Sequence, residues 1–187
     1  MKPEIRVFAG PNGSGKSTIA VSPWILPPYV NADDIQRSLS ITNLEAAQHA
    51  EYLREEYVAT GTSFTFETVL STDRNLNLLR RAKERGFFIK GYYIFTVDPN
   101  LNVARVAARV SNGGHDVPTE KIVSRYWRSR ALLPQFLEVC DICHIYDNTD
   151  ERPVRIVRKH KESISIYPNT YWSMSDLFKL IDKTPTK

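Results

Sequence analysis

Residues 10–18, Gly-Pro-Asn-Gly-Ser-Gly-Lys-Ser-Thr, match the pattern G-x-x-x-x-G-K-[ST], and the chemistry they point to is phosphate binding. Gly10, Gly13 and Gly15 let backbone N–H groups turn inward around phosphate oxygens, while Pro11, Asn12 and Ser14 complete the loop. The helix that follows adds the positive end of its dipole. Lys16 is placed to reach β- and γ-phosphates, Ser17 to ligate Mg²⁺, and Thr18 to meet a more distal part of the phosphate chain. The expected ligand is ATP or GTP with Mg²⁺.

A loop of this kind serves switches, motors, transporters and kinases. A GTPase would add a D-x-x-G switch and an N-K-x-D base reader, and a transporter ATPase an L-S-G-G-Q-type stretch; the chain has none of these strings. "YYIFTVD" ends in Asp98, but Pro99 follows, so that aspartate reads equally well as the start of a helix. By elimination a kinase leads.

Phosphoryl transfer relies on positioning and charge neutralisation, plus one carboxylate to take the acceptor hydroxyl's proton. In open α/β sheets such groups stand beyond the C-terminal ends of strands. "VNADD" closes one strand with Asp33 and Asp34, and "FTFET" closes another with Glu67 and Thr68. Asp33 is the candidate base, whereas Asp34 reads as a helix cap or surface residue. A carboxylate at 67, after alternating aromatics, needs a partner, which an acceptor hydroxyl or Mg²⁺-bound water would supply. Positive charge against the transferring group is expected from a lid. Arg105 and Arg109 lie on one helical face, Gly113-Gly114 reads as a hinge, and Arg125 and Arg128 share a face of the next helix. His115 is a further lid candidate, with a turn or capping role as its plainer reading.

Those residues need a scaffold, and the chain supplies apolar runs alternating with helical patterns. "IRVFAG" leads into a helix from Gly15; "YVNA", "SFTFET" and "FFIKGYYIFTV" read as strands; and helices are expected near 44–60 and 73–85. Helices follow at about 101–110 and 119–137, then the strand "CHIYDN". In the helix near 44–60, Ala46, Ala50, Leu53 and Tyr57 form the packing face, with Arg54 among the polar remainder. The helix near 73–85 has a capping Thr or Asp at its start and Gly86 as its stop. The rhythm predicts an α/β fold with a mostly parallel sheet. "PVRIVRKH", "SISIYPN" and "SMSDLFKLID" add a small C-terminal hairpin and helix. The 187 residues read as one domain, with 1–148 as core and 149–187 as appendage.

Composition narrows the setting. A formal charge of +4 and a pI near 9.1 suit polyanionic ligands without singling out nucleic acid, since a nucleotide satisfies them equally. No stretch approaches the roughly eighteen apolar residues of a membrane span, so the expected place is the cytoplasm and no membrane partner is expected. Cys140 and Cys143 form a single C-x-x-C inside an apolar run and read as buried thiols.

Taken in order, "GPNGSGKST", "NADDI", "FTFETVLS", "VARVAARVSNGGHDVP" and "YDNT" resemble the zeta-toxin family of P-loop kinases, particularly its short forms, from about Ile5 to Asn148. The resemblance implies a sheet of order 2-3-1-4-5 and ATP- or GTP-dependent phosphorylation of a nucleotide-sugar hydroxyl. In the best-known members the acceptor is a UDP-N-acetyl-hexosamine, and its phosphorylation poisons cell-wall synthesis. By the same resemblance Asp33 matches the catalytic base, Glu67 and Thr68 the acceptor-binding region, Arg109 a lid arginine, and Asn148 a residue near the nucleotide base. An antitoxin partner is implied, although the helices that precede the P-loop strand in larger toxins have no counterpart ahead of residue 5. His115, Arg125 or Arg128 would stand in for the family's second lid arginine.

Two other readings stay open from the residues. One is a P-loop hydrolase or nucleotide-dependent regulator with no acceptor. The other is a polynucleotide-end kinase, suggested by the basic "RIVRKHKES"; charge on a surface hairpin is usually solvation, so nucleic acid is not the expected partner.

Overall fold

The computed structural model describes residues 2–21, 23–113 and 116–182. Its centre is a seven-stranded sheet of order β2-β3-β1-β4-β5-β6-β7. The strands are β1 (Glu4–Ala9), β2 (Tyr29–Val30), β3 (Phe64–Thr68), β4 (Phe88–Phe95), β5 (Ile142–Asp147), β6 (Val154–His160) and β7 (Ser163–Ile166). The first five pair in parallel, in the expected 2-3-1-4-5 order. β6 and β7 then extend the same sheet antiparallel from β5, so the C-terminal hairpin continues the sheet.

Helices α3 (Asn43–Thr60), α4 (Arg74–Glu84), α6 (Thr119–Val139) and α7 (Met174–Leu180) bury one main core against the sheet. Ile5, Val7, Phe64, Phe66, Tyr93, Phe95 and Ile145 supply the sheet's side of that core. Cys140 and Cys143 are buried in it as free thiols. Trp172, Leu177 and Leu180 join it from the C-terminal segment.

Local details depart from sequence expectation in physically readable ways. α3 begins with a capping box in which Thr42 and Glu45 exchange hydrogen bonds. Arg54, expected on its polar face, is buried with its guanidinium 5.4 Å from the Phe66 ring centroid, a cation–π contact that offsets its burial. α4 has Asp73 at its N-cap, but no side chain makes a capping bond there. The P-loop helix α1 (Lys16–Ile19) is only four residues long. Beyond it Val21 N–H bonds Ile19 O and Trp24 N–H bonds Val21 O, tight turns that carry the chain away before Pro23 could interrupt a helix.

The opposite sheet face holds a smaller aromatic cluster. Phe8 stacks on Tyr92 at 4.8 Å, and Tyr92 on His144 at 5.6 Å. Burial first, then the charges of Arg155, Lys90 and Arg158, lower the His144 pKa to about 4. Between that value and the ordinary 6.5 the unfolded chain binds the additional proton, so stability is complete above about pH 6.5 and falls as pH drops toward 4. His144→Gln is expected to flatten the part of the urea-stability profile between pH 6.5 and 4 that this ring causes, as measured by denaturant midpoints across that range.

Candidate functional site

The P-loop leaves the C-terminal end of β1, between β3 and β4, and neighbouring elements hold its carbonyls from outside. Asn102, on α5 (Pro99–Ser111), donates its side-chain N–H to Asn12 O at 2.6 Å. Asn148, just past β5, donates to Ser14 O at 2.8 Å. Gly13 and Gly15 adopt φ of 74° and 88°, a region costly for other residues. A Cβ at Gly13 would lie 2.5 Å from Asn102 O, and one at Gly15 would lie 2.2 Å from Asn148 Nδ2. Only glycine lets both asparagines approach this closely. Pro11 and Ser14 are buried, and the Ser14 hydroxyl has no hydrogen-bond partner. An orphaned hydroxyl inside a glycine cradle fits an oxyanion ligand such as phosphate.

Lys16 Nζ donates to Gly10 O at 2.9 Å and Pro11 O at 3.0 Å, across the mouth of its own loop. Its pKa is held below the ordinary lysine value, chiefly by burial, while Glu67 and Asp33 pull it up and Arg109 pushes it down. Those interactions place Asp33, Glu67 and Arg109 in the electrostatic environment of the loop lysine.

Glu67 links the loop to β2. Its Oε2 accepts from Ser17 Oγ at 3.3 Å, and its Oε1 accepts from the Tyr29 hydroxyl in a short bond. Asn31 Nδ2 donates to Tyr29 Oη at 3.3 Å, and Asn31 Oδ1 accepts from Asp33 N–H at 2.9 Å. A chain of hydrogen bonds thus runs from Ser17 to Asp33. Burial first, then the Glu67 carboxylate, raise the Tyr29 pKa and keep that hydroxyl protonated as a donor.

The remaining sequence candidates sort by position. Asn31 caps α2 (Ala32–Leu39), so neither aspartate is the cap; exposed Asp33 sits in its first turn, and Asp34 pairs with Arg37. Asp98 caps α5 by accepting from Asn100 N–H, as its plainer reading had it. Thr68 lies on the strand face opposite Glu67, nearly buried, with its hydroxyl accepting from Leu70 N–H and Asn75 Nδ2. Arg105 donates to Asn148 O at 2.7 Å and Thr149 O at 3.1 Å, which makes it a clamp on the β5 exit. Arg125 reaches the loop itself, donating to Asn12 Oδ1 at 3.4 Å. Thr18 and Arg128 are exposed, and His115 lies outside the described residues, as does Gly114 of the proposed hinge. Tyr29, Asn31 and Asn102 were missed in sequence; Asn31, two residues before Asp33, carried the clearest available signal as a helix-capping type.

With this geometry in place, comparison with known proteins is informative. No family model matches the chain. A chain of the AvrRxo1-ORF1:AvrRxo1-ORF2 complex, crystallised with sulphate ions and also with ATP, superposes with a TM-score of 0.73 at 16% identity over 97% of this chain. A chain of the PezAT chromosomal toxin-antitoxin system of Streptococcus pneumoniae superposes at 0.61 with 18% identity, over 100% of this chain and 81% of its own. The chain shares its fold with both. The chain spans 64% of the length of the AvrRxo1 chain it matches. An uncharacterised protein of Haemophilus influenzae is 28% identical over 125 residues, covering 64% of this chain and 89% of its own. No helix among the described residues is long and apolar enough to cross a membrane.

Asn148→Asp keeps the size of the side chain but puts an acceptor against Ser14 O. It is expected to weaken nucleotide binding roughly tenfold or more and to cost about 1–3 kcal/mol of stability, read by fluorescent-nucleotide titration and urea denaturation. Wild-type affinity in that variant would mean the loop holds its shape without the β5 contact.

Proposed function

We propose that the chain is an ATP- or GTP-dependent small-molecule kinase of the zeta-toxin type. The observation that carries this reading is the hydrogen-bonded run Ser17–Glu67–Tyr29–Asn31–Asp33, which ties the loop through the Glu67 carboxylate to the backbone N–H of Asp33 across three strand ends. In this reading the acceptor oxygen attacks the γ-phosphorus, the bond to the β–γ bridging oxygen breaks, and the acceptor's proton passes to Asp33. Lys16, Arg109 and Arg125 supply the positive charge that neutralises the phosphates. The nucleotide base is assigned to the shallow cleft of about 790 Å³ lined by Arg105, Thr149, Asp150, Glu151, Arg152 and Val154, which adjoins Asn148.

The residues fit Mg²⁺. Ser17 and Glu67 offer hard oxygen donors, and among the described residues no cluster of three or more His, Cys, Asp or Glu builds a dedicated cage. That suits an ion held by a hydroxyl, phosphates and water. When bound, Mg²⁺ supplies charge neutralisation of the phosphates. Ser17 would hold it directly, with Glu67 orienting that hydroxyl or an ion-bound water.

The acceptor proposed is a hydroxyl of a nucleotide sugar of the UDP-N-acetylglucosamine type, seated between Asp33 and Glu67. This rests on the motif order and on the exposure of Asp33. The PezAT likeness supports a further reading, that the chain is the toxin of a toxin-antitoxin pair, with a dedicated antitoxin as its partner.

Lys16→Ala is expected to abolish nucleotide turnover, while Asp33→Asn keeps nucleotide affinity within about twofold and lowers transfer by at least a hundredfold. Full transfer by Asp33→Asn would overturn the assignment of the base. Mass spectrometry of a metabolite extract incubated with enzyme and ATP should show a nucleotide sugar gaining one phosphate. Turnover that no extract component stimulates would favour the acceptor-free hydrolase. Unchanged growth on expression of active enzyme would remove the toxin reading alone.

A further inference from the structure

The sheet face opposite the main core carries a group of cations for which the phosphate site has no use. Register sets them side by side. Arg6 on β1 pairs with Lys90 on β4; Tyr92 on β4, His144 on β5 and Arg158 on β6 form the next row; and Tyr146 on β5 pairs with Arg155 on β6. Residues two apart on a strand share a face, so Arg6, Lys90 and His144 stand on the same side as Phe8, Tyr92 and Tyr146. Among the described residues, those from outside the sheet that reach this aromatic cluster are Ile19, Ala20, Trp24 and Ile25. No long helix covers it there.

The charge on this face is one-sided. Glu4 pairs with Arg6 at 2.7 Å, but neither Arg155 nor Arg158, both exposed, belongs to an ion pair among the described residues. Like charges gathered on one surface repel one another, and although Arg155 bonds the Tyr146 hydroxyl and lies over the Tyr167 ring, no carboxylate among the described residues pairs with Arg155 or Arg158. An anionic partner would. We propose that this face docks an acidic segment of a partner protein.

Two polyanions could answer such a surface, and ring geometry separates them. Single-stranded nucleic acid binds open sheets by stacking bases on exposed aromatic faces. Here Phe8 and Tyr92 are fully buried and His144 nearly so. The exposed rings of Trp24 and Tyr167 are already covered by cations: Lys90 Nζ lies 5.6 Å from the Trp24 centroid, and the Arg155 guanidinium 5.5 Å from the Tyr167 centroid. The surface presents charge above rings and leaves few ring faces for bases. Carboxylates, which pair with arginine forks in a bidentate manner, suit it better.

The test uses the full chain and three fluorescein-labelled probes in anisotropy titrations at low and moderate salt. They are a 20-residue Glu/Leu amphipathic helical peptide, the same peptide with Gln for Glu, and a 20-nucleotide oligo-uridine. The acidic peptide should bind at least about tenfold more tightly than either other probe. The double variant Arg155→Glu/Arg158→Glu should lose that binding by at least about tenfold, with a fluorescent ATP analogue bound as in wild type. A charge-matched control, Lys121→Glu/Lys161→Glu, should change peptide affinity less than threefold. Equal peptide binding by wild type and double variant, or failure of the wild type to bind the peptide, would overturn the proposal. So would tighter binding of oligo-uridine that the double variant abolishes, or a dimer in sedimentation that the same variant disperses, since each assigns the face to another occupant.

Discussion

Everything at the candidate site depends on holding the carbonyls of Asn12 and Ser14 from outside the loop, because the N–H groups of the same peptides can then face a phosphate. A buried carbonyl needs a donor, and four are supplied by side chains. Asn102 takes Asn12 O, Asn148 takes Ser14 O, and Lys16 takes Gly10 O and Pro11 O. The first two donors come from α5 and from the end of β5, elements separated in sequence from the loop by 90 and 134 residues. The sheet order is therefore a functional constraint. With β4 and β5 beside β1, the segments leaving their C-terminal ends arrive where the loop needs them.

The same arrangement explains the electrostatic balance. Burial alone would drive Lys16 toward its neutral form, and Glu67 and Asp33 oppose that. Glu67 in turn has both oxygens engaged, one by Ser17 and one by Tyr29, so its carboxylate is oriented by two hydroxyl donors from different elements. Since a tyrosine hydroxyl with a raised pKa stays a donor, Tyr29 keeps its hydrogen bond to Glu67 Oε1 at ordinary pH.

How much of this was legible in the sequence follows from how local each feature is. The loop at 10–18 is nine contiguous residues, so its turn-forming glycines could be read directly, and Gly10, Gly13 and Gly15 all adopt positive φ. The parallel sheet was visible in the alternation of apolar runs and helical patterns, though its strand order came from resemblance to a family. Glu67 was recognisable as a carboxylate needing a partner, but the partner Tyr29 is 38 residues away and meets it only through β2–β3 register. Asn148 was read as a base contact and Arg105 as a lid cation because the sequence reveals a residue's donors and not where they point. Both turn inward, Asn148 to the loop and Arg105 to the backbone after β5. Arg125 shows the converse, since helical spacing gave its face, and only the approach of α6 to Asn12 shows which arginine meets the loop.

The two sheet faces impose different rules on their residues. Toward α3, α4, α6 and α7 the strands present Ile, Val, Phe and Tyr, and a misplaced charge there would need a buried partner. On the other face the strands alternate those residues with Arg6, Lys90, His144 and Arg158. A sheet solvated on one side would show this alternation, yet Phe8, Tyr92 and Ile94 on that side are completely buried. The short α1 and the turns after it account for this: they fold Ile19, Ala20, Trp24 and Ile25 over the middle strands, with Trp24 against Lys90 and Arg6, and leave Arg155 and Arg158 on β6 exposed. The turn at Val21 that ends α1 thus determines both how the aromatic cluster is covered and where the basic surface begins.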